Sequence, residues 1–178
     1  MRSVFVGSRA RPPKMNPDPL AVELVAALAA ARQSLATAES LTGGLIGAAV
    51  TAVPGASSSY LGGVVSYATR LKAELAGVPQ RILDEWGPVA EATAAAMAAG
   101  VRCRVGADWG LAVTGVAGPE PQDGHQPGEV WIGIAGPDGS SAASKIQLAG
   151  TREQIRTATV RAALAQLLGE LAAISSQG

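Results

Sequence analysis

The first place in this chain where chemistry could begin is a serine followed by two glycines, in Thr37-Ala38-Glu39-Ser40-Leu41-Thr42-Gly43-Gly44. A strand ending here and a helix beginning at the glycines would leave the amide N–H groups of the first helical turn pointing outward. The helix dipole there favours negative charge, on a phosphate or on a tetrahedral oxyanion. Ser40 would then be placed as a nucleophile, and Thr42, Gly43 and Gly44 as substrate-binding residues, the glycines allowing close approach.

A second group is Tyr67-Ala68-Thr69-Arg70-Leu71-Lys72, at another passage from strand to helix. A lysine in such a place can serve as general base if burial or a neighbouring cation such as Arg70 lowers its pKa. The third group, Thr114-Gly115-Val116-Ala117-Gly118-Pro119, again follows a strand and offers backbone donors from Gly115, Ala117 and Gly118. Arg152 and Arg156 lie four residues apart, on one face at the start of the last helix. Cations oppose the helix dipole there, which is easier to understand if they bind an anion such as phosphate. Pattern alone leaves each group a plainer reading. Ser40 or Thr42 would serve as an N-cap, Lys72 as a solvated helix residue, Tyr67 as a half-buried strand aromatic, segment 114–119 as a turn, and the arginines as surface charges.

The elements that must position these residues alternate in type. Leu20, Leu24, Val25 and Leu28 recur with helical spacing behind Asn16 and Asp18, predicting a first helix. Strands are predicted at Leu35–Ala38, Gly63–Tyr67 and Trp109–Thr114, with helices at Leu45–Val53, Thr69–Ala76, Arg81–Trp86 and Glu91–Val105 between them. Gly115–Gly128 has no periodicity and reads as a functional or mobile loop. Val130–Ile134 and Ala142–Leu148 flank the turn Pro137-Asp138-Gly139 and predict an antiparallel pair in an otherwise crossover-connected sheet. A final helix spans Thr151–Ala172. The sum is an α/β domain, a three-layer α/β/α sandwich with a mixed, mostly parallel central sheet. In such sheets ligands gather at the carboxyl ends of the strands, where Ser40 and Tyr67 would both lie if their strands are parallel.

Composition narrows the partners. With 178 residues, 48% of them hydrophobic, the chain can bury one core; a single domain is expected over residues 16–175, with residues 1–15 as a mobile tail. Fourteen Lys plus Arg balance fourteen Asp plus Glu, and aromatics are 3%, which argues against nucleic acid as a partner. One cysteine and one histidine give no metal-ligand cluster, so no metal and no cofactor is expected. The longest nearly apolar stretch is too short for a membrane span, and the basic opening segment lacks a secretory core; a cytoplasmic protein, working as a homo-oligomer, is expected.

Taken in order, these motifs resemble the CinA carboxy-terminal family, also called the nicotinamide-nucleotide amidase family. The family's Ala-Glu-Ser-x-Thr-Gly-Gly is similar to Ala38–Gly44, its Gly-Gly-Val-Val-x-Tyr to Gly62–Tyr67, and its Tyr-to-Lys spacing to Tyr67 and Lys72. Gly77-Val78-Pro79, Gly87–Glu91, Thr114–Pro119, Val130-Trp131 and Gly150-Thr151-Arg152 continue the resemblance, which covers roughly Pro19 to Leu171. It implies a nucleophile at Ser40, an assisting Lys72 and a nearby Tyr67. The implied substrate is nicotinamide mononucleotide, its carboxamide hydrolysed without a metal, with Arg152 and Arg156 as candidate phosphate ligands. The chain departs from the family at Leu41, Thr69 and Ala90, where cysteine, asparagine and serine are common. It departs further after Pro119, where Glu120-Pro121-Gln122-Asp123 and Pro127-Gly128-Glu129 replace a glycine-rich stretch ending Pro-Val-Gly-Thr. Carboxylates near an anionic substrate are unfavourable. Two rival readings therefore stand: a nucleotide-binding or assembly module without catalysis, and an amidase for another small carboxamide. The molybdopterin-binding-like amino-terminal domain of many members has no counterpart in these residues, so none of its functions is transferred.

Overall fold

The computed structural model describes residues 16–175; the tail expected at residues 1–15 lies outside them. Helix α1 (Pro19–Ala31) starts as its sequence dictates, with Pro19 in the first turn and the Asp18 carboxylate accepting from Leu20 N at 2.9 Å. It is followed by β1 (Leu35–Glu39), α2 (Leu45–Thr51), a 3-10 turn at Ala56–Ser58, β2 (Tyr60–Val65), α3 (Thr69–Glu74) and α4 (Gln80–Trp86). Then come α5 (Glu91–Val105), β3 (Trp109–Gly115), β4 (Glu129–Ala135), β5 (Ser141–Gln147) and α6 (Arg152–Ser175). No described helix is long and apolar enough to cross a membrane.

The five strands form one mixed sheet in the order β2-β1-β3-β4-β5. β1 pairs in parallel with both β2 and β3, while β3–β4 and β4–β5 are antiparallel. Four strands thus run one way and β4 runs against them. The expectation of a single antiparallel pair is corrected: segment 116–128 returns the chain directly from β3 into β4 and makes a second one. β2 also begins three residues earlier than its apolar pattern suggested, because Gly62 and Gly63 supply no side chain from which a strand period can be read.

Helices cover both faces. On one, Leu24 and Leu28 of α1 and Leu164 and Leu167 of α6 pack with Leu35, Leu111 and Ile132 of the sheet, all at most 1% exposed; each such side chain contributes roughly 1.5–3 kcal/mol when fully buried. On the other face α5 lies very close, through Ala94, Met97, Ala98 and Val101. The strand residues beneath it are correspondingly small. A Cβ on Gly110 would stand 2.1 Å from Ala98 O, and one on Gly133 2.1 Å from Ala94 O, so any larger residue there would push the helix off the sheet. The two layers hold β1, β2 and β3 with their carboxyl ends at one edge, and that edge carries the site.

Candidate functional site

Ser40 directly follows β1, and the ladder continues past the strand end to fix it: Ser40 N donates to Val113 O at 3.1 Å, and Ser66 N to Glu39 O at 2.8 Å. The second bond places Ser66 beside the β1 end, and six residues later α3 turns Lys72 inward. Lys72 is 2% exposed, Ser40 7%. The Lys72 Nζ lies 2.8 Å from Ser40 Oγ and donates to Ser66 O at 3.1 Å. Burial alone lowers the Lys72 pKa from an ordinary 10.5 to about 8, since no nearby charge replaces the lost water around the ammonium. Arg70, considered from sequence as a cause of this shift, instead faces solvent and pairs with Glu74 at 2.9 Å. A neutral Lys72 that gives one N–H to Ser66 O has its lone pair free for the Ser40 hydroxyl, the orienting arrangement a base needs.

A cavity opens over this pair. Its lining includes Ser40, Leu41, Tyr67, Lys72, Thr114, Gly115, Ala117, Gly118 and Arg152, so most of the residues singled out from sequence meet in one place. Leu41, Thr69, Pro88, Val89, Val116, Glu120 and Gln122 line it as well. The structure brings Pro88 and Val89 there through two threonines: Thr114 Oγ1 donates to Pro88 O and Thr93 Oγ1 to Gly87 O, each at 2.6 Å. The Thr114 hydroxyl is thereby engaged in holding the wall. Arg152, at the start of α6, donates to Gly118 O at 2.7 Å and to the Tyr67 hydroxyl at 2.8 Å. It joins the β2 and β3 sides of the cavity mouth with two of its five N–H groups. Tyr67 itself is 58% exposed, more open than a half-buried strand residue, because β2 ends at Val65.

The turn after Ser40 is built differently from expectation. Glu39, 2% exposed, folds its carboxylate under the start of α2. Oε2 accepts from Thr42 Oγ1 at 2.7 Å, Gly44 N at 2.9 Å and Ile46 N at 3.0 Å, while Oε1 accepts from Gly47 N at 2.8 Å. Gly43 N donates to Ser40 O at 3.0 Å. Arg156 closes the same turn from outside, donating to Leu41 O at 3.0 Å and Thr42 O at 2.8 Å. Thr42, Gly43, Gly44 and Arg156 do not line the cavity. The expectation that the first-turn amides of α2 face a ligand is therefore corrected, because the protein supplies its own anion there. Among the residues that line the cavity, Leu41, Ala117 and Gly118 have amides that donate to no acceptor among the described residues.

A family model described as the CinA C-terminal domain matches residues 17–171. The chain belongs to that family. It is 54% identical over 131 residues to a CinA-like protein of Frankia casuarinae, a match covering 74% of this chain and 30% of that protein. A putative competence-damage inducible protein of Halalkalibacterium halodurans is 42% identical over 149 residues, covering 84% of this chain and 36% of that one. The chain thus spans about a third of the length of these curated CinA relatives. Among solved structures, a competence-damaged protein (CinA) superfamily protein of Klebsiella pneumoniae superimposes with a TM-score of 0.83 at 33% identity. That match covers 86% of this chain and 96% of the other. The CinA superfamily protein of Enterobacter cloacae gives 0.82 at 29% identity, covering 96% and 99%.

Proposed function

We propose that this CinA-family domain hydrolyses the carboxamide of nicotinamide mononucleotide to the carboxylate and ammonia, with Ser40 as nucleophile and Lys72 as the group that carries the proton. The observation that supports this most directly is the buried Nζ–Oγ contact of 2.8 Å. A lysine with a pKa near 8 is neutral in an appreciable fraction of molecules at physiological pH and basic enough to deprotonate a hydroxyl as it attacks.

Ser40 Oγ bonds to the carboxamide carbon while its proton passes to Lys72 Nζ. The resulting oxyanion needs donors, and the Leu41 amide, next to the nucleophile and otherwise unengaged, is suited to that role. Collapse breaks the C–N bond, the nitrogen leaves as ammonia with the proton from Lys72, and water then releases the acid from Ser40 by the same steps in reverse order. Tyr67 stands at the mouth, where its hydroxyl, held by Arg152, can meet the substrate. Arg152 keeps further N–H groups for the 5′-phosphate.

The test is ammonia release from nicotinamide mononucleotide by the wild type and by Ser40→Ala. Removing Oγ takes away the attacking atom and almost no packing volume, so the variant should keep its melting temperature and lose turnover altogether. A Ser40→Ala chain with most of the wild-type rate, in a preparation free of other amidases, would eliminate the serine mechanism.

A further inference from the structure

The cavity has a buried floor and an exposed rim. Ser40 and Lys72 form the floor, whereas Tyr67, Glu120, Gln122 and Arg152 are exposed at the mouth. A carboxamide that reaches Ser40 must therefore project the rest of its molecule past those rim side chains. Glu120 contributes the rim's carboxylate, and among the described residues it makes no hydrogen bond or ion pair. Gln122 follows with a side-chain oxygen that accepts nothing from the described residues; its amide nitrogen makes one long contact, to Asp123 at 3.4 Å.

These two side chains stand on a constructed wall. Gln122 N donates to His125 O at 3.0 Å and His125 N to Gln122 O at 2.9 Å, closing a small hairpin. Its central residues, Asp123 and Gly124, have φ of 52° and 84°, the left-handed pair that a two-residue hairpin turn of this kind uses. His125 Nδ1 lies 2.8 Å from Glu129 Oε1, and Lys145 Nζ meets the same oxygen at 2.9 Å. Gly128 N donates to Val116 O at 2.7 Å and Gln147 Nε2 to Pro127 O at 3.1 Å. The hairpin is therefore fastened to β4, β5 and the end of β3, and Glu120 precedes it by two residues with its carboxylate unengaged at the rim.

We infer that Glu120, with Gln122 beside it, is a specificity-determining residue that holds the vicinal hydroxyls of a ribose attached to the carboxamide ring. The inference rests on the amidase reading above and names the part of the substrate that Glu120 recognises. An ionised carboxylate is an acceptor with two oxygens and no donor, the complement of two adjacent hydroxyls. The same contact between an acidic side chain and ribose recurs in dinucleotide-binding folds. Glu120 repels a phosphate and Arg152 attracts one, so the rim sorts a nucleotide by charge, with sugar toward Glu120 and phosphate toward Arg152. The departure of this loop from the family's glycine-rich pattern then changes how the sugar is held while leaving the reaction as it is.

The test compares nicotinamide mononucleotide with its 2′,3′-dideoxy analogue on wild type, Glu120→Ala and Glu120→Gln. Because Glu120 is exposed and unpartnered, all three should fold alike. On the natural nucleotide Glu120→Ala should lose roughly ten- to a hundredfold in kcat/KM, as expected for hydrogen bonds to a charged group, with Glu120→Gln in between. On the dideoxy compound the three proteins should be equal. Equal losses on both compounds, or none on either, would overturn the inference. So would a gain for Glu120→Gln on the nucleotide, which would set the carboxylate against the phosphate. Absence of ammonia release by the wild type would defeat the amidase reading separately. Calorimetric binding of the two compounds to wild type and Glu120→Ala then decides the ribose contact by the same difference.

Discussion

Two glycine-rich segments leave the same edge of the sheet, and from sequence they look alike: Ser40–Gly44 after β1 and Gly115–Gly128 after β3. The structure separates them. In the first, Glu39, Thr42, Gly44, Ile46, Gly47 and Arg156 satisfy one another. Only Ser40 and Leu41 of that turn face the cavity. In the second, Gly115, Val116, Ala117, Gly118, Glu120 and Gln122 line the cavity, with the Ala117 and Gly118 amides and the Glu120 carboxylate unengaged. A glycine-rich turn after a strand is thus a ligand cradle only where the chain has not brought its own acceptor to the same donors. The first segment should govern the chemical step and stability, and the second should govern substrate affinity.

The sharpest way to break that division is Lys72→Met. Among the described residues the Lys72 ammonium meets only Ser40 Oγ and Ser66 O, so the loss should fall on kcat, by roughly a hundred- to ten-thousandfold. In the wild type the rate should rise with pH through about 8, as Lys72 loses its proton. Stability should rise with pH as activity does, over a higher range. The pKa of Lys72 is about 8 when folded against an ordinary 10.5, so below pH 8 the fold carries a buried ammonium that the unfolded chain would hydrate. The folded state binds fewer protons between these values, and stability therefore increases as pH rises from 8 toward 10.5, by about 3 kcal/mol in all. Lys72→Met should remove that slope and melt higher than wild type at pH 7. A variant with an unchanged rate and pH profile would move the base elsewhere, with Tyr67 the next to test.

How legible these features were depended on how local their causes are. The strand Leu35–Glu39, the α5 span Glu91–Val105 and the β3 start at Trp109 follow from apolar runs and caps, and were readable to within a residue. Ser40 and Lys72 are 32 residues apart, and nothing in periodicity joins them; family resemblance did, and the parallel pairing of β1 with β2 supplies the physical reason. Pro88 and Val89 were missed as cavity residues because two long-range threonine hydrogen bonds place them. Glu39 was missed although a signal was present. An acid at the end of a fully buried strand, one turn before a helix, is stable only if donors surround it, and the helix start is the nearest set.

Glu39→Ala tests the self-satisfied half of the comparison. It would leave the Thr42 hydroxyl and the Gly44, Ile46 and Gly47 amides without their carboxylate, a loss expected to cost about 2–4 kcal/mol in denaturant unfolding. Glu39→Gln, which keeps one acceptor oxygen, should fall between. Glu120→Ala, by contrast, should lie within about 0.5 kcal/mol of wild type, since it is exposed and unpaired. Equal stabilities for the Glu39 and Glu120 variants would erase the distinction between the two segments.

Arg152→Ala, whose effect should be confined to KM, sharpens the affinity half. Arg152 already gives two N–H groups to Gly118 O and the Tyr67 hydroxyl, so its fork is fixed at the cavity mouth before substrate arrives. Its guanidinium is planar and cannot lose its charge, and the remaining N–H groups can meet phosphate oxygens without moving the wall. A contact made equally in the ground and transition states raises KM and leaves kcat nearly unchanged when removed. Arg152→Ala should therefore raise KM for nicotinamide mononucleotide by roughly tenfold to a hundredfold, the usual worth of a charge-assisted hydrogen bond. On nicotinamide riboside, which lacks the phosphate, variant and wild type should behave alike. An equal loss on riboside and nucleotide would show that Arg152 acts by holding Tyr67 and Gly118 in place. Phosphate recognition would then fall to the Ala117 and Gly118 amides, because Arg156 is engaged with Leu41 O and Thr42 O, away from the cavity.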